Sequence, residues 1–127
     1  MSHFSSIKTQ IRNLESLKAA LNDLGIVWKE GPAPIRGYRG QTAQAQIVIE
    51  QENNYDIGFA WNGQEYELVA DLQYWQQPWS VEGFLQRVTQ GYALHTILRE
   101  SAKQGFAVTE QQKNADGSIR LVVQRWN

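Results

Sequence analysis

The sequence predicts an α+β domain: a mainly antiparallel sheet of six to seven strands with two helices packed on one face. Two segments place apolar residues at helical spacing, around Leu14–Leu24 and Val81–Ala102. Between and after them run stretches that alternate apolar and polar residues, joined by turn residues too short to hold a crossover. Strands joined by short turns pair antiparallel, and their apolar face is most simply covered by the helices. The order that results is β-α-β-β-β-β-α-β-β.

The first strand is read from His3 to Arg12, where Ile7, Thr9 and Ile11 share one face and Ser6, Lys8 and Gln10 the other. Asn13 is placed to cap a helix whose stripe is Leu14, Leu17, Leu21 and Leu24, and Gly25 is placed to end it. Ile26-Val27-Trp28 opens a second strand. Gly31-Pro32-Ala33-Pro34 then reads as a loop, because two prolines oppose both helix and central strand. That loop is expected to continue to Gly40 and to be the longest irregular and most mobile segment. A third strand follows, with Ala43, Ala45, Ile47 and Ile49 on its inner face. Asn62-Gly63 links Ile57–Trp61 to Tyr66–Leu68 and suggests a type I′ hairpin. An aromatic linker, Asp71 to Trp79, leads to a second helix capped by Ser80 and stopped by Gly105, with Gly91 letting it approach the sheet. Phe106 and Val108 begin the sixth strand, Asp116-Gly117 turns the chain, and Ile119, Leu121 and Val123 form the seventh, before Trp126.

The whole chain of 127 residues is read as a single domain, 1–127, long enough to bury roughly two thirds of the surface of its unfolded form. Its 12 Lys plus Arg nearly balance 13 Asp plus Glu, which argues against a phosphate-tracking nucleic-acid surface. With no cysteine, thiol catalysis, zinc–thiolate clusters and iron–sulfur centres have no ligands. Met1-Ser2-His3-Phe4 lacks the pattern of a secretory leader. No stretch approaches the roughly 20 apolar residues of a membrane span. A cytoplasmic location is expected, or the stroma of a plastid. Five Trp, five Tyr and four Phe exceed what one small core needs, so some rings are expected at the surface.

Three constellations stand out. Arg36-Gly37-Tyr38-Arg39-Gly40 sets two guanidiniums beside a tyrosine in a glycine-hinged loop. Paired arginine forks suit an oxyanion or a protein partner; the structural reading is a solvated loop. Tyr74, Trp75 and Trp79 form an aromatic cluster that is either an interface anchor or a lid over the helix–sheet core. Adjacent Tyr74 and Trp75 point to opposite sides of an extended chain, so at least one is expected to be exposed. Gly91, Tyr92 and His95 mark a candidate pocket between the second helix and the sheet. His95 is more often a satisfied core histidine than a base or ligand. An enzyme would need it to converge with Asp71. Neither histidine has an acid at ligand spacing, so neither a metal nor any other cofactor is expected.

Ser2-His3-Phe4-Ser5-Ser6-Ile7-Lys8-Thr9-Gln10-Ile11 and Leu14-Glu15-Ser16-Leu17-Lys18-Ala19-Ala20-Leu21 resemble the hypothetical chloroplast open reading frame thirty-five family, domain of unknown function twelve fifty-seven. Gln90-Gly91-Tyr92-Ala93 and Gln104-Gly105-Phe106 are similar too. The resemblance implies a photosynthetic lineage, cyanobacterial or algal-plastid. It also implies an accessory role, with an AAA-type ATPase or a photosynthesis-related complex as partner, and it supplies no catalytic residue. The leading expectation is an accessory or regulatory domain that binds protein without catalysis. The alternative is a small-ligand module.

Overall fold

The computed structural model describes residues 3–125, and for 106–110 and 123 the backbone alone. The expected element order is the observed one. It runs β1 (Ser5–Lys8), α1 (Leu14–Asp23), β2 (Lys29–Arg36), β3 (Thr42–Ile49), β4 (Ile57–Trp61), β5 (Tyr66–Ala70), α2 (Val81–Lys103), β6 (Phe106–Lys113) and β7 (Ile119–Arg125). Short 3₁₀ turns lie at Tyr38–Gly40 and Leu72–Tyr74. The strands form two antiparallel sheets, not one: five in the order β1-β5-β4-β3-β2, and a separate β6–β7 hairpin against α2. Val123 lies in β7, and Trp126 falls outside the described residues.

Local chemistry sets the helix ends. The Asn13 Oδ1 accepts from the Ser16 N–H at 2.9 Å, and the Ser80 Oγ from the Gly83 N–H at 3.1 Å. At the other end of α1, the Ile26 N–H donates to the Leu21 carbonyl and the Gly25 N–H to the Asn22 carbonyl, both at 3.0 Å. That paired closure needs a left-handed residue, which Gly25 supplies at φ +71°.

Both helices cover one face of the large sheet. Leu17 and Leu21 of α1 and Phe84 and Val88 of α2 meet Ile47, Ile57, Phe59 and Leu68, all fully buried. Gly91 serves the helix pair and not the sheet: a Cβ there would stand 3.0 Å from the Ala20 Cβ of α1. The crossing of α1 and α2 therefore rests on two small residues.

The second face departs from the sequence expectation most. Lys29–Arg36 is an edge strand and not a loop, paired with β3 from Lys29 opposite Val48 to Arg36 opposite Thr42. An edge strand tolerates Pro32 and Pro34, because a missing N–H is harmless on the side with no neighbour. The register shifts between Glu30 and Ala33, and the Gly31-Pro32 bond there is cis. At the same level β3 leaves β4, pairing with it only from Ile47 to Ile49. The Gln46 Oε1 takes the Trp61 N–H of β4 at 2.7 Å, replacing the lost ladder bond. Beyond this bend the β2–β3 hairpin folds over the back of the sheet. Ile35 and Ala45 lie there with Val48 and Val69 in a second buried cluster, which Phe4 and Ala43 border. Ala43 and Ala45 thus leave the face of Ile47 and Ile49, past the point where β3 parts from β4.

The β4–β5 hairpin forms as expected but with a different turn. Only Gly63 has positive φ, at +102°, the requirement of a II′ turn and not of I′. The Asn62 Oδ1 accepts from the Gln64 and Glu65 N–H groups at 2.9 Å. The first strand is shorter than its alternation suggested. Past it, the Thr9 Oγ1 donates to the Tyr66 carbonyl and the Tyr66 N–H to the Ile11 carbonyl, keeping the segment on β5.

The bend of the β2–β3 hairpin sets a test. A Cβ at Gly31 would lie 2.2 Å from the Ala45 carbonyl oxygen, a backbone atom that cannot swing away. Gly31→Ala is expected to cost about 2 kcal/mol or more, read as a lower urea midpoint with an unchanged slope.

Candidate functional site

The end of the folded-back hairpin is fixed by charge. Asp56 precedes β4 and is 3% exposed. Arg36 grips it with two parallel hydrogen bonds, Nε to Oδ2 at 2.9 Å and the second terminal nitrogen to Oδ1 at 2.8 Å. The backbones join too: the Arg36 N–H donates to Oδ2 at 2.7 Å, and the Asp56 N–H donates to the Arg36 carbonyl at 3.0 Å. Asn54 takes the remaining terminal nitrogen at 3.0 Å, and Glu50 lies 3.6 Å away. Arg36 is thereby committed within the protein, so it offers no open fork to an oxyanion as the sequence suggested.

The turn after Arg36 closes through the Gly37 N–H to the Gln41 carbonyl, 2.8 Å. Gly37 has a steric duty: a Cβ there would stand 2.4 Å from the Phe4 ring. Arg39 occupies the left-handed region at φ +52°, ψ 43°, which costs a residue with a Cβ roughly 1–2 kcal/mol. In that conformation its exposed guanidinium lies 5.2 Å from the centre of the Tyr38 ring.

Tyr38 begins a column of three rings. It lies 6.2 Å from Tyr74 at 13° between planes, and Tyr74 lies 3.9 Å from Tyr55 at 11°. All three are half-buried, and Leu72, in the same 3₁₀ turn as Tyr74, is 39% exposed. Gln51, 7% exposed, secures the two loops that supply Tyr55 and Tyr74. Its Nε2 donates to the Tyr55 and Tyr74 carbonyls at 2.6 and 3.1 Å, and its Oε1 accepts from the Gln76 N–H at 2.8 Å. The two segments singled out from sequence, 36–40 and 74–79, meet here through Tyr38 and Tyr74. The residues that join them, Gln51, Tyr55 and Asp56, escaped notice. The one local signal was an aromatic residue directly after the Asn53-Asn54 turn.

Trp75 and Trp79 part from Tyr74 and form the lid. Trp75 meets Phe84 edge-on at 5.2 Å and 78°, and its indole N–H donates to the Trp79 carbonyl at 2.8 Å. Trp79 lies 6.3 Å from the same ring. Both pack against the main core.

The pocket candidates also have structural partners. The Tyr92 hydroxyl accepts from the Arg12 and Asn13 N–H groups at 3.0 and 3.1 Å, tying α2 to the start of α1. The His95 Nε2 lies 2.6 Å from the Asp23 carboxylate of α1. Asp71 is not its partner: Asp71 caps the 3₁₀ turn through the Gln73 N–H at 3.2 Å. Gly91 lines a cleft of about 610 Å³, but this lies between the helices and the β6–β7 hairpin, not between α2 and the large sheet. Among the described residues no group of three His, Asp or Glu side chains could hold a metal ion. No described helix is long and apolar enough to cross a membrane.

Two outcomes are expected. Trp75→Ala removes a ring from the core and should cost about 3 kcal/mol in chemical unfolding; Arg39→Asn, which suits positive φ, should leave stability unchanged or slightly raised. Burial, then the adjoining Tyr74 hydroxyl, holds the Tyr55 phenol above its ordinary value of 10.0. Burial also raises Tyr66. In both the protonated form is favoured by folding. The associated stability is therefore complete below the ordinary phenol range and lost as pH climbs through the raised values. In an alkaline titration followed by tyrosinate absorbance, Tyr55→Phe and Tyr66→Phe should each delete part of the latest phase.

Comparison with known proteins places the chain. "Uncharacterized protein ycf35" of Guillardia theta is 53% identical over 126 residues, covering 99% of this chain and 98% of the relative. The protein of the same name from Cyanophora paradoxa is 52% identical with the same coverage, and that from Pyropia yezoensis 48% identical over 100% and 99% of the two chains. No solved structure matches. The family described as "Protein of unknown function (DUF1257)" matches residues 20–122. With that match and near-complete alignment to these algal relatives, the chain belongs to the DUF1257 family.

Proposed function

We propose that this chain is an accessory or regulatory protein that acts by binding another protein, with the Arg39-capped tyrosine column as the contact surface. The observation that carries the proposal is the conformation of Arg39. A left-handed residue at a turn is most cheaply glycine or asparagine, yet an arginine stands there with its guanidinium over Tyr38. Tyrosine and arginine dominate the energetic centres of protein interfaces, and rings already locked by stacking lose little freedom on binding. Leu72 adds an exposed apolar rim. Trp75 and Trp79 contribute indirectly, by anchoring the segment that follows Tyr74 to the main core.

The relatives come from algal plastid lineages. We accordingly take the working compartment to be cytosol in a cyanobacterium and stroma in a plastid. An AAA-type ATPase or a photosynthesis-related complex is the first class of partner to examine. Nothing in the arrangement calls for catalysis: Arg36 is tied to Asp56, and His95 to Asp23.

Affinity capture from cell extract, with wild type and Arg39→Asn/Tyr74→Ala baits in parallel, tests the reading. Two interface anchors of this kind together carry at least about 2 kcal/mol, so the specific partner should bind about thirtyfold more weakly to the double variant. Equal capture by a double variant that retains the wild-type fold would remove this surface from consideration.

A further inference from the structure

The cleft beside Gly91 is distinct from the tyrosine column, and its walls are chemically uneven. It measures about 610 Å³, within the roughly 300–1,000 Å³ range of small-molecule sites. Arg87 of α2 and Lys113 of β6 both line it and are both exposed. Among the described residues neither has a carboxylate partner. Two cations without an ion-pair partner, on separate elements of one cavity, suit a ligand that brings a divalent anion.

The other groups specify the rest of that ligand. The Asp116 Oδ1 is occupied by the Ser118 hydroxyl and N–H at 2.6 and 3.0 Å, which hold this carboxyl below its ordinary value and leave Oδ2 open. The acid therefore stays charged and able to accept from hydroxyls. Gln90 and Asn114 add side-chain amides to the same walls. A carboxylate with amides is the donor and acceptor set that pairs with neighbouring hydroxyls on one molecule. A flat base is poorly served, since the Arg87 guanidinium already lies 5.5 Å over the Trp79 ring. On the α1 wall, Asp23 gives one carboxylate oxygen to His95.

We propose that the cleft between α1, α2 and the β6–β7 hairpin binds a sugar phosphate, its phosphate held by Arg87 and Lys113 and its hydroxyls by Asp116, Gln90 and Asn114. Binding fastens the hairpin to α2, because the ligand bridges Lys113 and Asp116 on one side to Arg87 and Gln90 on the other. Gly117 permits that approach: a Cβ there would stand 2.8 Å from the Gln90 amide oxygen.

Amide chemical shifts and calorimetry with glucose 6-phosphate test the assignment, with glucose, inorganic phosphate and adenosine monophosphate as comparisons. The sugar phosphate is expected to shift the resonances of residues 113–119 and to bind at least about tenfold more tightly than each of the other three. Arg87→Gln/Lys113→Gln should weaken it by about tenfold or more; both side chains are exposed, so the spectrum should stay dispersed. Asp116→Asn should weaken glucose 6-phosphate while leaving inorganic phosphate unchanged or tighter, which an anion site without sugar contacts would not do. The proposal is overturned by silence of those resonances at millimolar ligand or by undiminished binding in the double variant. It is equally overturned if phosphate alone or the nucleotide binds as tightly as the sugar phosphate.

Discussion

The grip of Arg36 on Asp56 decides where the far end of the β2–β3 hairpin lies. The β2–β3 hairpin bends away from β4 at Gln46, and past that point the ladder no longer holds it. A buried carboxylate is costly unless fully satisfied. Asp56 is satisfied only when the guanidinium and the Arg36 N–H both reach it. The same geometry puts Ile35 and Ala45 over Val48 and Val69 and delivers Tyr38 to the face of Tyr74. Polar pairing, apolar burial and ring stacking thus share one solution, and each weakens if either of the others is lost.

That arrangement divides labour between the two faces of the sheet. The helix side is a conventional core around Phe59 and Phe84, closed at one end by Trp75 and Trp79. The back is thinner, made of Ile35, Ala45, Val48 and Val69 with Phe4 against Gly37. Helix α2, roughly 35 Å long, also carries the β6–β7 hairpin, and the cleft between them opens along Gln86–Leu94. Trp79 reaches both regions, packing on the main core and lining the cleft.

Local chemistry made the helices and the element order legible in the residues. Asn13, Ser80, Gly25 and Gly105 announce their ends, and the stripes between need no tertiary knowledge. What stayed hidden was set by contacts distant in sequence. Pro32 and Pro34 argue for a loop in isolation, and only the vacant outer side of β2 admits them to a strand. Asn62-Gly63 names a hairpin but not which turn, since the choice depends on how Asn62 spends its side chain. Arg36 and Arg39 look equivalent in the chain. One is consumed by Asp56, twenty residues on, while the other is left over Tyr38. The tyrosine column joins three segments, two of them tied through Gln51, whose partners lie two to twenty-six positions away.

The prolines of the outermost strand have one more effect. A sheet can be extended by any chain that finds a continuous row of unpaired amides, and this is how folded domains recruit copies of themselves into fibres. On β2 two of the eight residues carry no N–H, and the register is broken between Glu30 and Ala33. A docking strand would meet gaps instead of a ladder. The rim of the sheet that carries Arg36 is thereby blunted against self-association.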